Sequence, residues 1–252
     1  MTDSSIPAVH APRQRPPLRS WTFRVVDGFD VAPNMRRVVL TADDIDEFAY
    51  KPGQAIVLMV PLPNGETGRR DYTIRSMDRD AKTISVDFLL HGDTPAPTWA
   101  RQAKPGDLIE AKGPRGGTVL RPDAEWHLLT GDETCIPAIA HILETMPART
   151  KALVFIEIAD KSGEIALETQ ADAEIRWVHR NGASAGPSEI MNRVVQDLIL
   201  PPGKGHAYLI GETSNVRRQR HTLIARGITR DQISSEGYWR PGRIGGHDHV
   251  ED

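Results

Sequence analysis

A single cysteine, Cys135, stands in this chain of 252 residues. An intrachain disulfide is excluded, and so is a zinc or iron–sulfur site built from several thiolates. Excess positive charge is missing too: 31 Lys plus Arg face 34 Asp plus Glu, for a net charge of −3. Holding a phosphate backbone needs a basic surface, so no nucleic-acid partner is expected. Apolar runs are short, and none reaches the length of a membrane span. The first 20 residues carry Pro7, Pro12, Pro16 and Pro17 among scattered arginines, not the basic-then-apolar order of a secretory signal. These absences lead to the expectation of a soluble protein of the reducing cytoplasm. What is present suits packed cores, with 39% hydrophobic and 26% charged residues. Residues 1–19 read as a mobile lead-in and 245–252 as a loose tail. His247, Asp248 and His249 stand together in that tail, but no metal site is expected.

Between the termini the chain changes its grammar once. From Ser20 to Arg121 it writes short β-rich runs: 21–26, 35–41, 55–60, 71–76, 83–90 and 107–112. Asp27-Gly28, Lys51-Pro52-Gly53, Pro63-Asn64-Gly65, Asp78-Arg79-Asp80 and Lys104-Pro105-Gly106 separate them, all turn formers. Such spacing predicts a small antiparallel β-barrel over 20–121, with one short helix at 98–102. From Pro122 strand-like and helical stretches alternate: strands at 125–130, 152–158, 175–179 and 207–210, helices at 137–145, 188–198 and 213–226. Gly227 is placed to stop the last helix. Alternation of this kind predicts an α/β domain with a parallel sheet over 122–244. The fold class expected is thus two-domain, barrel first and parallel sheet second.

The sharpest local signal is Arg70-Asp71-Tyr72-Thr73-Ile74-Arg75 at the start of a barrel strand. Arginine offers a planar fork of donors to a pyrophosphate. Tyrosine two residues on shares its face and can lie against an isoalloxazine ring, while threonine can hydrogen-bond a flavin's edge. A half-buried strand with surface arginines accounts for the same letters. In the second half, Gly131-Asp132-Glu133-Thr134 and Gly211-Glu212-Thr213 each place a glycine at a strand-to-helix turn, where a nucleotide can approach the backbone. Asp132 and Glu133 repel phosphate; they suit helix capping or contacts to ribose hydroxyls and flavin edges. Cys135 reads as packing, with a reactive thiol as the other reading. Arg217 and Arg218 could receive a 2′-phosphate or simply be solvated.

Arg70-x-Tyr72-Thr73 resembles the flavin motif of the ferredoxin–NADP reductase superfamily. The words around it resemble the siderophore-interacting protein family: Val86 to Asp93, Trp99-Ala100, Lys104-Pro105-Gly106-Asp107, Gly113 to Gly116, Gly131 to Thr134 with Pro137-Ala138-Ile139, Gly211-Glu212, and Tyr238-Trp239-Arg240 with Gly242-Arg243. They fall in the family's order from about Trp21 to Arg243. The resemblance implies an FAD-dependent reductase passing electrons from NADH or NADPH to a ferric siderophore as substrate; in some members ferredoxin is the donor, so a redox partner protein could take that role. It implies FAD contacts from Arg70, Asp71, Tyr72 and Thr73, the last two beside the reacting atoms. Further FAD contacts are implied from Asp87, Phe88, Leu90, His91, Ala96, Pro97, Thr98, Glu133, Thr134 and Trp239. Gly131, Asp132, Gly211 and Glu212 would meet the nicotinamide nucleotide, and Arg115, Arg240 and Arg243 the siderophore. Tyr238 and Trp239 could equally pack between the domains.

Two departures from the family pattern stand out. The loop after His91-Gly92-Asp93 carries Pro95 and Pro97 where glycine is common, removing two backbone donors. The strand Ala55 to Val60 is wholly apolar where many members place a lysine. A flavin-dependent reductase with another acceptor, such as free flavin, a quinone or a redox protein, therefore stays open. So does a siderophore-binding module without turnover, although that would not need Arg70, Tyr72 and Thr73.

Overall fold

The computed structural model describes residues 17–243, 245 and 248–250. Strands β1 (Ser20–Ala32), β2 (Met35–Thr41), β3 (Ala55–Pro61), β4 (Thr67–Asp78), β5 (Thr83–Leu89) and β6 (Leu108–Arg115) close into a barrel in the order β1-β2-β5-β4-β3-β6, every adjacent pair antiparallel. Alternating side chains fill its interior: Trp21, Phe23 and Val25 from β1, Val38 and Leu40 from β2, Ile84, Val86 and Phe88 from β5. Helix α1 (Pro95–Gln102) plugs one end with Ala96 and Ala100. It starts three residues before the expected Thr98, because Pro95 and Pro97 occupy its first turn, where a missing N–H breaks no helical bond.

After the barrel come β7 (Trp126–Asp132), α2 (Ile136–Glu144), β8 (Lys151–Ile158), β9 (Asp172–His179), α3 (Ile190–Asp197), β10 (Gly205–Glu212), α4 (Thr213–Ala225), β11 (Ile233–Trp239) and β12 (Asp248–His249). The sheet order is β12-β11-β10-β7-β8-β9, with every pair parallel except β11–β12. Neighbouring residues on a strand serve opposite cores. Leu128, Leu153 and Phe155 pack with α3 and α4, whereas Leu129, Val154 and Ile156 pack with α2. Chain order reverses at β7, so the carboxyl ends of β7 and β10 form the topological switch point.

Helix α2 is the joint between the halves. Its His141 Nδ1 donates to the Ile74 carbonyl of β4 (2.8 Å), and Nε2 accepts from the Tyr50 hydroxyl (3.2 Å). Glu144 takes a two-pronged hold from Arg75 (2.8 and 2.6 Å). Burial holds His127, His141 and His206 below the usual histidine range, His206 down to about 4. The unfolded chain then binds more protons than the fold once the pH drops below about 6.5, so stability falls on acidification from there. Each of the three histidines contributes up to about 1.4 kcal/mol per pH unit. Asp132 and Glu157, raised by burial, work in the opposite sense. Thermal melts from pH 8 to 5 should show a flat upper range and a steep decline below about 6.5; a flat profile to pH 5 would refute the neutral, bonded state of these imidazoles.

The expected strands are present to within a few residues except β1, which runs six residues past its expected end, through Asp27-Gly28; that dipeptide pairs with Val39 and Val38 beside a register shift and is not a turn. β11 and β12 were not expected, and the reading of 245–252 as a loose tail fails for its central part: residues 248–249 pair with Glu236 and Gly237, and Val250 is 2% exposed. Residues 246–247 and 251–252 of that tail, and residues 1–16 of the lead-in, lie outside the described residues.

Candidate functional site

Strand β4 explains why four consecutive residues can face one cleft. Its pairing with β5 runs only as far as Ile74↔Val86, with an irregularity between Ile74 and Ser76, whereas its pairing with β3 continues through Arg70. Over Arg70 to Thr73 the strand has β3 on one edge and no strand on the other. The freed edge is the wall of an open cleft of about 200 Å³, floored by Met35, Asp87, Leu89 and His91 and bounded by Thr94, Ala96 and Pro97. The sheet domain supplies the opposite wall with Glu133, Thr134, Pro137, Tyr238 and Trp239, and Arg243 and Gly245 lie at its border.

Each wall has a definite chemistry. Tyr72 packs on Phe88 (ring centroids 4.3 Å apart), which packs on Trp99 (5.6 Å), so the tyrosine ring is backed by the barrel core. Burial pushes its hydroxyl well above the usual tyrosine range and keeps it neutral. Arg70 donates to the Arg69 carbonyl (2.8 Å) and makes no ion pair among the described residues. Asp87 is held by Arg37 through two bonds (2.6 and 2.8 Å), so its charge is matched. Thr73 hydrogen-bonds the Tyr238 side chain across the cleft, joining the two domains. Glu133 accepts from Arg180 (2.9 and 2.6 Å) and from the Ala159 amide (2.8 Å). Arg180 also lies 3.5 Å from Glu157, which ties the ends of β7, β8 and β9 together.

These residues fit a flavin dinucleotide. Arg70, a cation with no ion pair among the described residues, adjoins a neutral, rigidly backed aromatic ring, and the buried Asp71 Oδ1 makes no hydrogen bond among them, only a 3.4 Å ion pair to Arg115. The α1 N-terminus keeps the Ala96 amide, since Pro95 and Pro97 have none and the Thr98 amide is spent on the Thr94 carbonyl (3.0 Å).

Comparison with known proteins gives the same picture over most of the chain. The family model for siderophore-interacting proteins matches residues 124–242, and that for the siderophore-interacting FAD-binding domain matches residues 64–118. Ferric vibriobactin reductase ViuB of Vibrio cholerae is 30% identical over 236 residues, covering 84% of this chain and 86% of its own. The chain belongs to the siderophore-interacting protein family. Among solved structures, a siderophore utilization protein from T. fusca is 33% identical, with a TM-score of 0.84 over 93% of this chain and 97% of its own. A ferredoxin NADP+ reductase from Neisseria gonorrhoeae with bound FAD and NADP is 17% identical, with a TM-score of 0.68 over 87% of this chain and 99% of its own. That likeness shows the shared two-domain fold.

Of the residues singled out in this siderophore-interacting protein, the cleft gathers Arg70, Asp71, Tyr72, Thr73, Asp87, His91, Ala96, Pro97, Glu133, Thr134, Trp239 and Arg243. Others lie elsewhere. Phe88 and Leu90 turn their side chains into the barrel core, and Leu89 takes the cleft position; a slip of one residue along a strand reverses the face. Thr98 sits past the first turn of α1, outside the lining. Gly131, Asp132, Gly211 and Glu212 stand at the switch point beneath the cleft, and Glu212 caps α4 by accepting from the Asn215 amide (2.9 Å). Arg115 pairs with Asp71 (3.4 Å) outside the lining, while Arg240 (3.6 Å) and Arg243 both pair with Asp248. Cys135 is buried, its thiol pushed well up by desolvation, and a Cβ on Gly131 would lie 2.6 Å from its own. Packing accounts for it. Alternation from Asp87 would have found Leu89; nothing in the sequence pointed to Met35 or Arg180.

Proposed function

We propose that this protein is an FAD-dependent reductase that passes electrons from NADH or NADPH to a ferric siderophore, releasing the iron. The observation that carries the reading is the meeting of Arg70, Tyr72 and Thr73 with Glu133, Thr134 and Trp239 in one interdomain cleft, directly above the β7–β10 switch point. The ferric vibriobactin reductase activity named for a relative gives the reading its acceptor.

In this scheme Arg70 would receive the FAD diphosphate with the Ala96 amide, and Tyr72 would support the ring from the barrel side. Thr73, fixed by Tyr238, would offer its hydroxyl at the reactive edge, and Trp239 would shield the cleft from water. Bound there, FAD would supply the conversion of a two-electron donor into one-electron steps. The turns after Gly131 and Gly211 would take the nicotinamide nucleotide. NAD(P)H supply and the single unbridged cysteine suit a cytoplasmic setting, and among the described residues no helix is long and apolar enough to cross a membrane.

One observation favours a second reading, a flavin-dependent reductase for a different acceptor. The three arginines expected to meet an anionic siderophore all pair with carboxylates, Arg115 with Asp71 and Arg240 and Arg243 sharing Asp248, and β3 brings no lysine. A turnover assay separates the two. With FAD-loaded protein, NADH or NADPH, and a ferrous-specific chromogenic chelator as trap, the first reading requires iron release that saturates with a ferric siderophore and needs both FAD and nucleotide. Fast quinone or free-flavin reduction with no release from siderophores would transfer the assignment to the second.

A further inference from the structure

Asp132 does more than cap a turn. It ends β7 and is 9% exposed, yet its side chain collects five donors, the longest of them the Cys135 thiol to Oδ1 (3.8 Å). Oδ1 accepts from the Thr134 amide (2.9 Å) and hydroxyl (2.5 Å), the pair that an ordinary cap would satisfy. Oδ2 reaches out of its own loop, to the indole Nε1 of Trp239 (2.8 Å) and to the Glu212 amide (3.0 Å). One carboxylate thereby joins the ends of β7, β10 and β11.

The surroundings are shaped to admit it. Gly211 stands at φ +130°, and a Cβ there would lie 2.7 Å from Asp132 Oδ2, so a side chain at 211 would evict the carboxylate. The next element holds the same partner from behind: Thr213, first residue of α4, shares its one hydroxyl proton between the Trp239 carbonyl (3.0 Å) and the Asp248 carboxylate (3.1 Å). The β10–α4 turn is thus bonded to Trp239 twice, once directly and once through Asp132. Burying a carboxylate is costly, and burial does push Asp132 above the usual carboxylate range. A surface cap would have avoided that cost.

We propose that Asp132 is a positioning residue that ties the Trp239 indole in the cleft to the β10–α4 turn, so that a nicotinamide nucleotide seated at that turn is registered at the indole. The inference rests on the reading above that the turn takes the nucleotide. Its two arms are separable: the Oδ2 bond to Nε1 sets the indole, and the bond to the Glu212 amide sets the turn.

The chain has five tryptophans, so indole-¹⁵N-labelled, FAD-loaded protein gives five indole N–H signals, and Trp239→Phe identifies one of them. Titration with NAD+ or NADP+, which bind without donating electrons, should move the Trp239 signal. Asp132→Asn should shift that signal before any nucleotide is added, raise its exchange with water by about tenfold for the lost charge-assisted bond, and suppress the nucleotide-induced movement. An unchanged signal in Asp132→Asn overturns the tie. A wild-type signal that stays put while calorimetry registers bound nucleotide overturns the coupling and leaves the donor site intact. Absence of any nucleotide binding by calorimetry instead defeats the donor reading and the coupling with it, while the Asp132→Asn spectrum still reports on the tie. Should Asp132→Asn fail to fold, the wild-type titration alone decides.

Discussion

Replacing Arg70 by alanine is expected to cost FAD affinity of one to two orders of magnitude, with little loss of stability. A guanidinium bound to a diphosphate contributes about 1.5–3 kcal/mol through charge-assisted hydrogen bonds, which is about ten- to a hundredfold or more in Kd. In the free protein Arg70 spends one donor on the Arg69 carbonyl and makes no ion pair among the described residues, so its removal leaves no buried charge behind. The melting temperature of the apoprotein should stay within the range of an ordinary surface change, about 0.5 kcal/mol. Fluorescence titration with FAD beside a thermal melt checks both halves. An unaltered Kd would move the diphosphate away from Arg70; a large fall in melting temperature would mean that the arginine serves the barrel.

Arg180→Ala should do the reverse and destabilise the fold strongly. The arginine side chain is 7% exposed and lies between Glu133 and Glu157, themselves 8% and 4% exposed. Taking away one partner of a buried pair typically costs about 3–5 kcal/mol, because the other charge stays buried and unpaired. For a chain of this size that lowers the melting temperature by about 10 °C. The deficit should depend on pH in a set direction. Burial already holds Glu157 above the usual carboxylate range, and without Arg180 it rises further. A group whose folded-state pKa exceeds its unfolded value gains stability for the fold as it takes up its proton, so the variant should recover part of its loss as the pH falls towards about 5. A deficit that is small, or that grows on acidification, would show that the cluster is weaker than its geometry suggests. Because Glu133 also lines the cleft, the variant reports on the site as well as the fold.

Much of the architecture can be read without coordinates, for identifiable reasons. The barrel strands announce themselves through turn formers such as Lys51-Pro52-Gly53 and Lys104-Pro105-Gly106, and the parallel strands through apolar runs buried on both faces. β11 hides because Ile233-Ser234-Ser235-Glu236-Gly237 is short, polar and interrupted by glycine, and its place in the sheet depends on β10 beside it. β12 hides because two residues carry no periodicity. At the site, Arg70, Tyr72 and Thr73 are legible because their chemistry is local to one strand. Leu89 is legible by alternation from Asp87, whereas Phe88 and Leu90 fall on the opposite, core-facing side. Arg180 gives no signal at all: one arginine after a strand acquires meaning only when the ends of β7 and β8 bring Glu133 and Glu157 to it. Asp248 likewise sits six residues past the family's matched segment, yet it pairs with both Arg240 and Arg243.

The most direct test of the central claim is an anaerobic visible spectrum of the protein reconstituted with FAD, recorded before and after NADH or NADPH and again after a ferric siderophore. The reductase account predicts flavin bands that bleach with nucleotide and return with the chelate as ferrous iron appears. Flavin bands that never form after incubation with FAD, or that bleach and stay bleached in the presence of ferric siderophore, would contradict it.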